Sequence, residues 1–394
     1  MPLIPSPGVV TDRARTFWSL APSRRDHIPA VRIAAGLAGP LIILLLLDRT
    51  PWAMYAAFGA FTGIYSRYEP TRQRFARQSF IGVMLTLSVG VGAAVSQLGA
   101  TVLPETWTPI VILLVGAFTA ASSATIITAK GLKPGGAVFP VFAVTAVATA
   151  PPAAPIWLAT LIAFLSAGWC VLLGLAMHFL GERHPDVEPK RPPRYTRMQL
   201  AQEFTLYGCA ALVAGVFGVL SGLPSAYWAQ IAAVAPLSAP GRTAQIERGL
   251  HRVVGTVLGV VVTAFLLSFP TQPWQLVVWV VLLQFCAEMY VLRNYSFALL
   301  FITPLALLMV QLAHPQPAGP LLQARIVETA IGATVGMSAV IITHLLTRGR
   351  RRADERRAAE QKSEPEFLSR EPTSQDDRAG HPHEAATATE QSRH

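Results

Sequence analysis

Four arginines are the residues of this sequence whose type and spacing best suit the recognition of a small anion. Arg74 and Arg77 stand near the start of the third apolar segment, and Arg248 and Arg252 near the start of the ninth. A guanidinium binds a carboxylate through two parallel hydrogen bonds, so two such clusters around one axis would form an anion funnel. The alternative is that all four only orient the chain, because Lys and Arg concentrate on the cytoplasmic side of membrane proteins.

Titratable side chains inside or next to apolar segments form a second set of candidates. Arg325 and Glu328 are three residues apart, share one helix face and are able to pair. Either Arg325 meets a substrate carboxylate while Glu328 carries a proton, or the two only neutralise each other. Glu288, five residues before Arg293, raises the same question at a helix end. His251 either titrates near neutral pH or is merely solvated.

Three aromatic residues are candidates for stacking on an aromatic ring of a ligand. Trp52 opens the second apolar segment, and Tyr227 and Trp228 open the eighth. The alternative is that they belong to the aromatic belts found at both membrane interfaces.

The sequence lacks the motifs of the common energy-using and hydrolytic sites. It contains no GxxxxGK[ST], HExxH or GxSxG pattern. Cys170, Cys209 and Cys286 stand singly in apolar runs, which favours simple packing over a metal site or a disulfide framework. We therefore expect no enzyme activity, no ATP hydrolysis, no metal and no cofactor.

Composition indicates that membrane helices position these candidate residues. Of the 394 residues, 52% are hydrophobic and 14% are charged, against about 25% charged in soluble domains. The mean hydropathy is +0.43, which together with the low charge excludes most soluble folds. The formal charge of +10 is then interpreted as membrane topology rather than nucleic-acid binding.

Pro and Gly divide the apolar stretches into twelve predicted spans, most of them near the length that a membrane requires. They are residues 31–47, 51–66, 76–98, 107–129, 135–150, 156–180, 204–222, 225–239, 249–269, 274–292, 295–313 and 321–347. With the N-terminus inside, all but two of the 32 Lys and Arg residues, Arg49 and Arg325, lie on the cytoplasmic side. This asymmetry predicts a multi-pass protein of the plasma (cell inner) membrane with both termini cytoplasmic.

The two halves of the chain resemble each other, which predicts an all-α fold of two parallel six-helix repeats. Trp52 and Trp228 are followed 25 and 24 residues later by Arg77 and Arg252, each of which opens a glycine-containing helix. The second and eighth spans, about 15 residues each, reach only roughly 22 Å. Short segments at matching places point to a transport site between the halves, although a tilted or locally thinned membrane is the alternative.

The expected organisation follows from these boundaries. It comprises a cytoplasmic segment 1–30, a first repeat 31–183, a cytoplasmic linker 184–200, a second repeat 201–347 and a disordered cytoplasmic tail 348–394. The tail has few apolar residues and as many acidic as basic ones, so it cannot form a core. The GxxxG spacings at Gly59, Gly255 and Gly332 predict close helix contacts.

One long segment resembles the fusaric acid resistance (FUSC) family, also described as the aromatic acid exporter or integral membrane bound transporter family. It reads Tyr227-Trp-Ala-Gln-Ile-Ala-Ala and then Arg248-Gly-Leu-His-Arg-Val-Val-Gly-Thr-Val-Leu-Gly259, and Asn294-Tyr-Ser to Pro304 and Arg325-Ile-Val-Glu to Gly332 also fit. The resemblance covers nearly all of 200–347 and, more weakly, 30–180. The first half departs from the pattern, since Arg77-Gln-Ser-Phe-Ile-Gly82 lacks the Gly-Thr and nothing there corresponds to Arg325 and Glu328.

The resemblance implies an asymmetric transporter of anions, because family members export small organic acids and plant malate channels look similar in fold. We therefore expect proton-gradient-driven efflux of small aromatic or carboxylate anions. The alternatives are a passive anion channel and a non-transporting membrane scaffold. The expected partners are the organic anion, the lipid bilayer and either an accessory efflux protein or a second copy of the chain, with no nucleic acid.

Overall fold

The computed structural model describes residues 19–22, 25–179 and 194–368, with side chains as far as residue 349 and at Glu355. Residues 1–343 and 344–394 form two compact units. The described residues contain twelve α-helices and no strand. The helices are α1 His27–Leu46, α2 Ala53–Ala60, α3 Thr71–Thr101, α4 Thr108–Lys130, α5 Val138–Thr149, α6 Ile156–Phe179, α7 Arg197–Leu220, α8 Tyr227–Leu237, α9 Arg242–Leu267, α10 Pro273–Tyr290, α11 Tyr295–Ala313 and α12 Ala318–Leu368.

Each predicted span corresponds to one helix, but three helices are too short to cross a membrane. Within the described residues nine helices have the length and apolar character of membrane spans. The exceptions are α2 with 8 residues, α5 with 12 and α8 with 11. The short second and eighth segments are thus confirmed, whereas the expectation of twelve full crossings is not.

Side-chain amides bind the backbone where α2 and α8 end. After α2 the chain makes a 3-10 turn, Phe61–Ile64, and becomes extended at Tyr65. Gln78 Nε2 of α3 donates to the carbonyls of Gly63 and Tyr65 at 3.3 and 3.0 Å. Gln245 Nε2 of α9 donates to the Leu237 carbonyl at 3.1 Å. Helix ends without water must satisfy their carbonyls internally, which these glutamines do.

The short helices α2 and α8 lie in the interior of the first unit, where every residue of both is buried. Around them α1 packs against α10, α4 against α7, α3 against α5 and α6, and α9 against α11. Gln230 fixes α8 in place, because its Nε2 donates to the carbonyls of Leu113 on α4 and Ala211 on α7. One side chain therefore connects α8 to both α4 and α7.

Close helix contact at the GxxxG spacings is confirmed. A methyl group added at Gly332 or Gly336 of α12 would collide with the backbone carbonyls of Ala229 and Ala233 on α8. One added at Gly59 would collide with the carbonyl of Ala163 on α6. Small residues thus bring α12 and α8 into backbone contact, which sets the position of Arg325 relative to Trp228.

Several expectations concern the ends of the chain and the linker. Helix α12 continues to Leu368 and so includes residues 348–368 of the segment that the sequence predicts to be a disordered tail. A helix that has already formed extends one residue at a time at little cost, whereas a new helix must nucleate. Composition alone does not reveal such an extension. Residues 369–394, most of the segment 1–30 before α1, and residues 184–193 of the linker lie outside the described residues.

Candidate functional site

Two arginines of the second half contact Tyr295, the first residue of α11, and a third lies within electrostatic range of it. Arg252 Nη1 donates to the Tyr295 hydroxyl at 2.8 Å, and the Arg248 guanidinium lies 4.4 Å from the centre of the Tyr295 ring. Arg325 also interacts electrostatically with this phenol. Helices α9 and α12 thus bring guanidinium groups together that are 73 or more residues apart in sequence. We call Arg248, Arg252, Arg325 and Tyr295 the arginine cluster.

Arg325 stacks on Trp228 deep inside the protein. Its guanidinium carbon lies 3.8 Å from the centre of the indole ring, and its side chain is only 1% exposed. The Nε and Nη1 atoms are buried and have no hydrogen-bond partner among the described residues, and the same holds for Nε of Arg248 and of Arg252. The N–H groups of a stacked guanidinium lie in the guanidinium's own plane and point away from the aromatic ring. The unpartnered N–H groups of these arginines, called open below, can therefore donate to a carboxylate.

An aromatic surface from the first half reaches the arginine cluster. Phe142 of α5 lies 4.9 Å from Trp228 and 6.4 Å from Tyr227, measured between ring centres. Phe142 also packs edge-on against Phe58 of α2 at 4.9 Å. The site therefore combines charges from the second half with apolar rings contributed by both halves.

Glu328 does not pair with Arg325, although both are buried and three residues apart. Its Oε1 accepts a hydrogen bond from the Ser221 hydroxyl at 2.6 Å, where α7 ends. Its Oε2 is buried and has no hydrogen-bond partner among the described residues. The expectation that the two side chains neutralise each other is therefore not what the structure shows.

The first-half arginines do not join the arginine cluster. Arg74 is buried and donates from Nη2 to the Gly174 carbonyl of α6 at 2.6 Å. Arg77 is part-exposed and forms an ion pair with Glu69. The structure thus gives these two residues contacts within their own half, and the charged groups around Tyr295 come from the second half alone.

Trp52 and His251 each make a hydrogen bond to the protein backbone. Trp52 Nε1 donates to the Ala153 carbonyl at 3.1 Å, and the exposed Arg49 lies over its ring at 5.3 Å. His251 Nδ1 accepts the backbone N–H of Ser296 at 3.2 Å in the first turn of α11. His251 therefore helps to fix the helix that begins with Tyr295.

Glu288 takes part in a buried polar network that joins the two halves. Its carboxylate pairs with Arg67 and accepts from Gln284 Nε2 at 2.9 Å. Arg67 Nη1 also donates to the Glu288 backbone carbonyl, and Arg32 Nη2 to that of Arg67. Arg293 instead binds the N-terminal segment, donating from Nε to the Ala21 carbonyl at 2.9 Å.

The loop that follows Tyr65 adds a tyrosine to this network. Tyr68 donates from its hydroxyl to Asp26. Burial, and then this hydrogen bond, raise the pKa of Tyr68 above its ordinary value, so the phenol keeps its proton. The network therefore connects this loop to the start of α1.

Several residues of these sites escape detection from sequence alone. Nothing in the local sequence marks Tyr295, Phe142 or Arg67. Their partners are distant in sequence: 43 residues separate Tyr295 from Arg252, and 221 separate Arg67 from Glu288. The Asn294 side chain that accepts from the Phe297 N–H is the one local signal, since it marks the start of α11. Among the described residues no group of three or more His, Cys, Asp or Glu side chains is placed to hold a metal ion.

Comparison with known proteins identifies the part of the chain that carries this site. Residues 209–339 match the family model for fusaric acid resistance protein-like proteins, which confirms the resemblance over this region. The match includes Trp228, Arg248, Arg252, Tyr295 and Arg325. No solved structure matches the chain.

Two curated relatives share part of the sequence. The "Uncharacterized membrane protein YvaC" of Bacillus subtilis (strain 168) is 29% identical over 132 residues, 33% of this chain and 21% of the relative. The "Uncharacterized protein slr1298" of Synechocystis sp. (strain ATCC 27184 / PCC 6803 / Kazusa) is 29% identical over 150 residues, 37% of this chain and 20% of the relative. The matched parts are thus about a fifth of the length of these relatives. The chain is a multi-pass membrane protein with a fusaric acid resistance-like second half.

Proposed function

We propose that this protein is a membrane transporter that exports small organic anions, and that the arginine cluster is its substrate site. The observation that carries the proposal is a set of buried guanidinium groups with no carboxylate partner among the described residues. A charge at the centre of a membrane helix costs about 2.5–3.5 kcal/mol on insertion scales. An anionic ligand that accepts the open N–H groups offsets that cost.

The rings around the arginine cluster favour an anion with an aromatic or otherwise flat body. Trp228 and Phe142 lie in contact beside the Arg325 guanidinium. Aromatic pairs prefer stacked or edge-on contact, so a ring attached to the carboxylate gains packing energy at this place. The substrate class we propose is therefore a small aromatic or carboxylate-bearing anion.

A two-repeat architecture would place this site near the middle of the molecule. Helix α1 packs against α10 as α7 does against α4, and α3 against α5 as α9 does against α11. A twofold axis between two parallel six-helix repeats would map each of these pairs onto the other, with α2 and α8 as the matching short helices. In this arrangement the site is asymmetric, because the charged groups come from the second repeat.

The proposed energy source is the proton gradient, since the sequence has no nucleotide-binding loop. We place the protein in the plasma membrane with both termini cytoplasmic, on the distribution of its Lys and Arg. The protein acts as a transporter and not as an enzyme in this proposal, with an accessory efflux protein or a second copy of the chain as its protein partner. A passive anion channel is the second candidate, because the same cluster would also attract anions in an open pore.

Flux measurements in proteoliposomes test the proposal. The purified protein is reconstituted, and movement of a radiolabelled aromatic carboxylate is followed with and without a proton gradient. We expect protein-dependent flux that falls when an ionophore collapses the gradient. Flux that persists unchanged after collapse would rule out proton-driven export and favour the channel. Absence of any anion flux in well-folded protein would contradict both.

A further inference from the structure

Three hydroxyl groups next to the arginine cluster lack the hydrogen bond that such groups normally make. Thr256 follows Arg252 by one helical turn, Thr329 follows Arg325 by one turn, and Ser296 adjoins Tyr295 in α11. Their side chains are 0%, 1% and 0% exposed, in that order. None of the three hydroxyl oxygens has a hydrogen-bond partner among the described residues.

Other threonines of this chain show what is usual. Thr263 of α9 donates to the Gly259 carbonyl at 2.8 Å, and Thr145 of α5 donates to the Val141 carbonyl at 2.6 Å. Buried Ser and Thr in membrane helices commonly bond in this way to the carbonyl four residues earlier. An unsatisfied buried hydroxyl costs about 1–3 kcal/mol. Thr62, Ser66, Thr86 and Thr303 also have buried hydroxyls without a partner among the described residues, so the hydroxyls beside the cluster indicate an acceptor only together with the unpartnered N–H groups of Arg252 and Arg325.

The unpartnered groups on these helix faces are suited to an anion and not to a cation. The open groups of Arg252 and Arg325 are N–H donors, and residues at i and i+4 share a helix face, so Thr256 and Thr329 lie on the same faces as these arginines. Glu328 faces Ser221 at the end of α7 instead. The three guanidinium groups also carry more positive charge than one monocarboxylate can neutralise.

We propose that a small inorganic anion, chloride, occupies the arginine cluster when no organic substrate is bound. The open N–H groups of Arg252 and Arg325 and the hydroxyls of Thr256, Ser296 and Thr329 donate to it. This inference rests on the proposed function, because it names the ligand of the same site between transport events. The organic anion then binds by displacing chloride.

Competition gives a measurable consequence. If chloride and substrate exclude each other, the apparent dissociation constant of the organic anion rises about tenfold for each tenfold increase of chloride above its own dissociation constant. Thermal unfolding of the protein reports the same binding, because a ligand that binds only the folded state raises the melting temperature.

The experiment follows thermal unfolding of the full-length protein in detergent, with chloride or bromide replaced at constant ionic strength by methanesulfonate, an anion that carries no carboxylate. We expect the melting temperature to rise with halide in the wild type. The rise should be lost in Arg325→Gln and reduced in Thr256→Val and Thr329→Val. Arg49→Gln is the matched control, because Arg49 also stacks on a tryptophan but is exposed.

Two results would overturn the inference. One is a wild-type melting temperature that does not respond to halide, and the other is an equal response in Arg325→Gln and both threonine variants. Benzoate added to the same samples separates this inference from the proposed function. Stabilisation by benzoate without any halide effect would end the chloride proposal and leave the substrate site intact, whereas no stabilisation by either anion would count against both.

Discussion

Buried charges in this protein occur in two forms with different energetic consequences. Arg67 and Glu288 form an ion pair in which both side chains are less than a tenth exposed. Arg325 is equally buried, but its N–H groups find no acceptor among the described residues. Removing one member of a buried pair leaves the other charge uncompensated, while an unpaired buried guanidinium costs free energy until an acceptor binds it.

Removing one partner of the Arg67–Glu288 pair should destabilise the protein. We expect Arg67→Gln or Glu288→Gln to cost about 3–5 kcal/mol of unfolding free energy, because the remaining charge is left buried. The double variant Arg67→Met/Glu288→Met should recover most of that loss. Thermal unfolding in detergent measures the stability of both single variants and of the double variant.

The ion pair of Arg77 and Glu69 provides the control for this prediction. Its side chains are 23% and 18% exposed, so Arg77→Gln should cost only about 0–1 kcal/mol. Equal loss of stability in Arg67→Gln and Arg77→Gln would show that burial of the first pair is energetically unimportant.

Sequence reasoning identified part of the site at this scale. Arg248, Arg252 and Arg325 stand out because charged residues in or beside long apolar runs are few, and Trp228 because it opens a short helix. The sequence did not predict that the second-half arginines form one cluster while the first-half arginines lie outside it. Arg74 has the same local surroundings as Arg248, and only the fold shows that one binds a backbone carbonyl and the other faces Tyr295.

Among the elements, the contact of α12 with α8 determines the geometry of the site. The two helices touch through Gly332 and Gly336 on one side and Ala229 and Ala233 on the other. This contact places the Arg325 guanidinium over the Trp228 ring. Any increase in the distance between the helices would move the Arg325 guanidinium away from the Trp228 ring.

A single methyl group should disrupt this contact. We expect Gly332→Ala to abolish correct folding or greatly reduce the yield of monodisperse protein, because its Cβ meets the rigid carbonyl of Ala229. Gly168→Ala in α6 is the control, since nothing lies within 4 Å of its added Cβ. Fluorescence-detected size-exclusion chromatography compares the two, and normal yield of Gly332→Ala would contradict the contact.

The number and order of the helices were predictable from the spacing of charges and of Pro and Gly. The 8-residue length of α2 was not, because the residues that follow it, Phe61–Ile64, stay buried without being α-helical. These residues form a 3-10 turn, and within it the Gly63 carbonyl accepts a hydrogen bond from Gln78. No count of apolar residues distinguishes such a turn from another turn of helix.

At the scale of the whole molecule, the two halves contribute different things to the proposed site. The second half supplies Arg248, Arg252 and Arg325, and the first half supplies the ring of Phe142. The sequence predicts two symmetric arginine clusters, but the first-half arginines have partners within their own half. Repeated architecture and asymmetric chemistry are compatible, since a repeat fixes helix positions and not the side chains on them.

Deleting residues 348–394 tests whether the protein serves as a scaffold rather than a transporter. The residues of the proposed site all lie before this segment. We therefore expect the shortened protein to retain its anion flux in proteoliposomes. Loss of flux in shortened protein that still elutes as a folded species would assign a role in transport to the tail.

The most direct test of the account is the flux of a labelled aromatic carboxylate through proteoliposomes containing Arg252→Gln or Arg325→Gln. A hydrogen bond to a charged group contributes about 1.5–3 kcal/mol, so each variant should lower the flux at subsaturating substrate by at least about tenfold. Arg77→Gln and Arg49→Gln should match the wild type. Wild-type flux through folded Arg252→Gln and Arg325→Gln protein would show that the arginine cluster is not the substrate site.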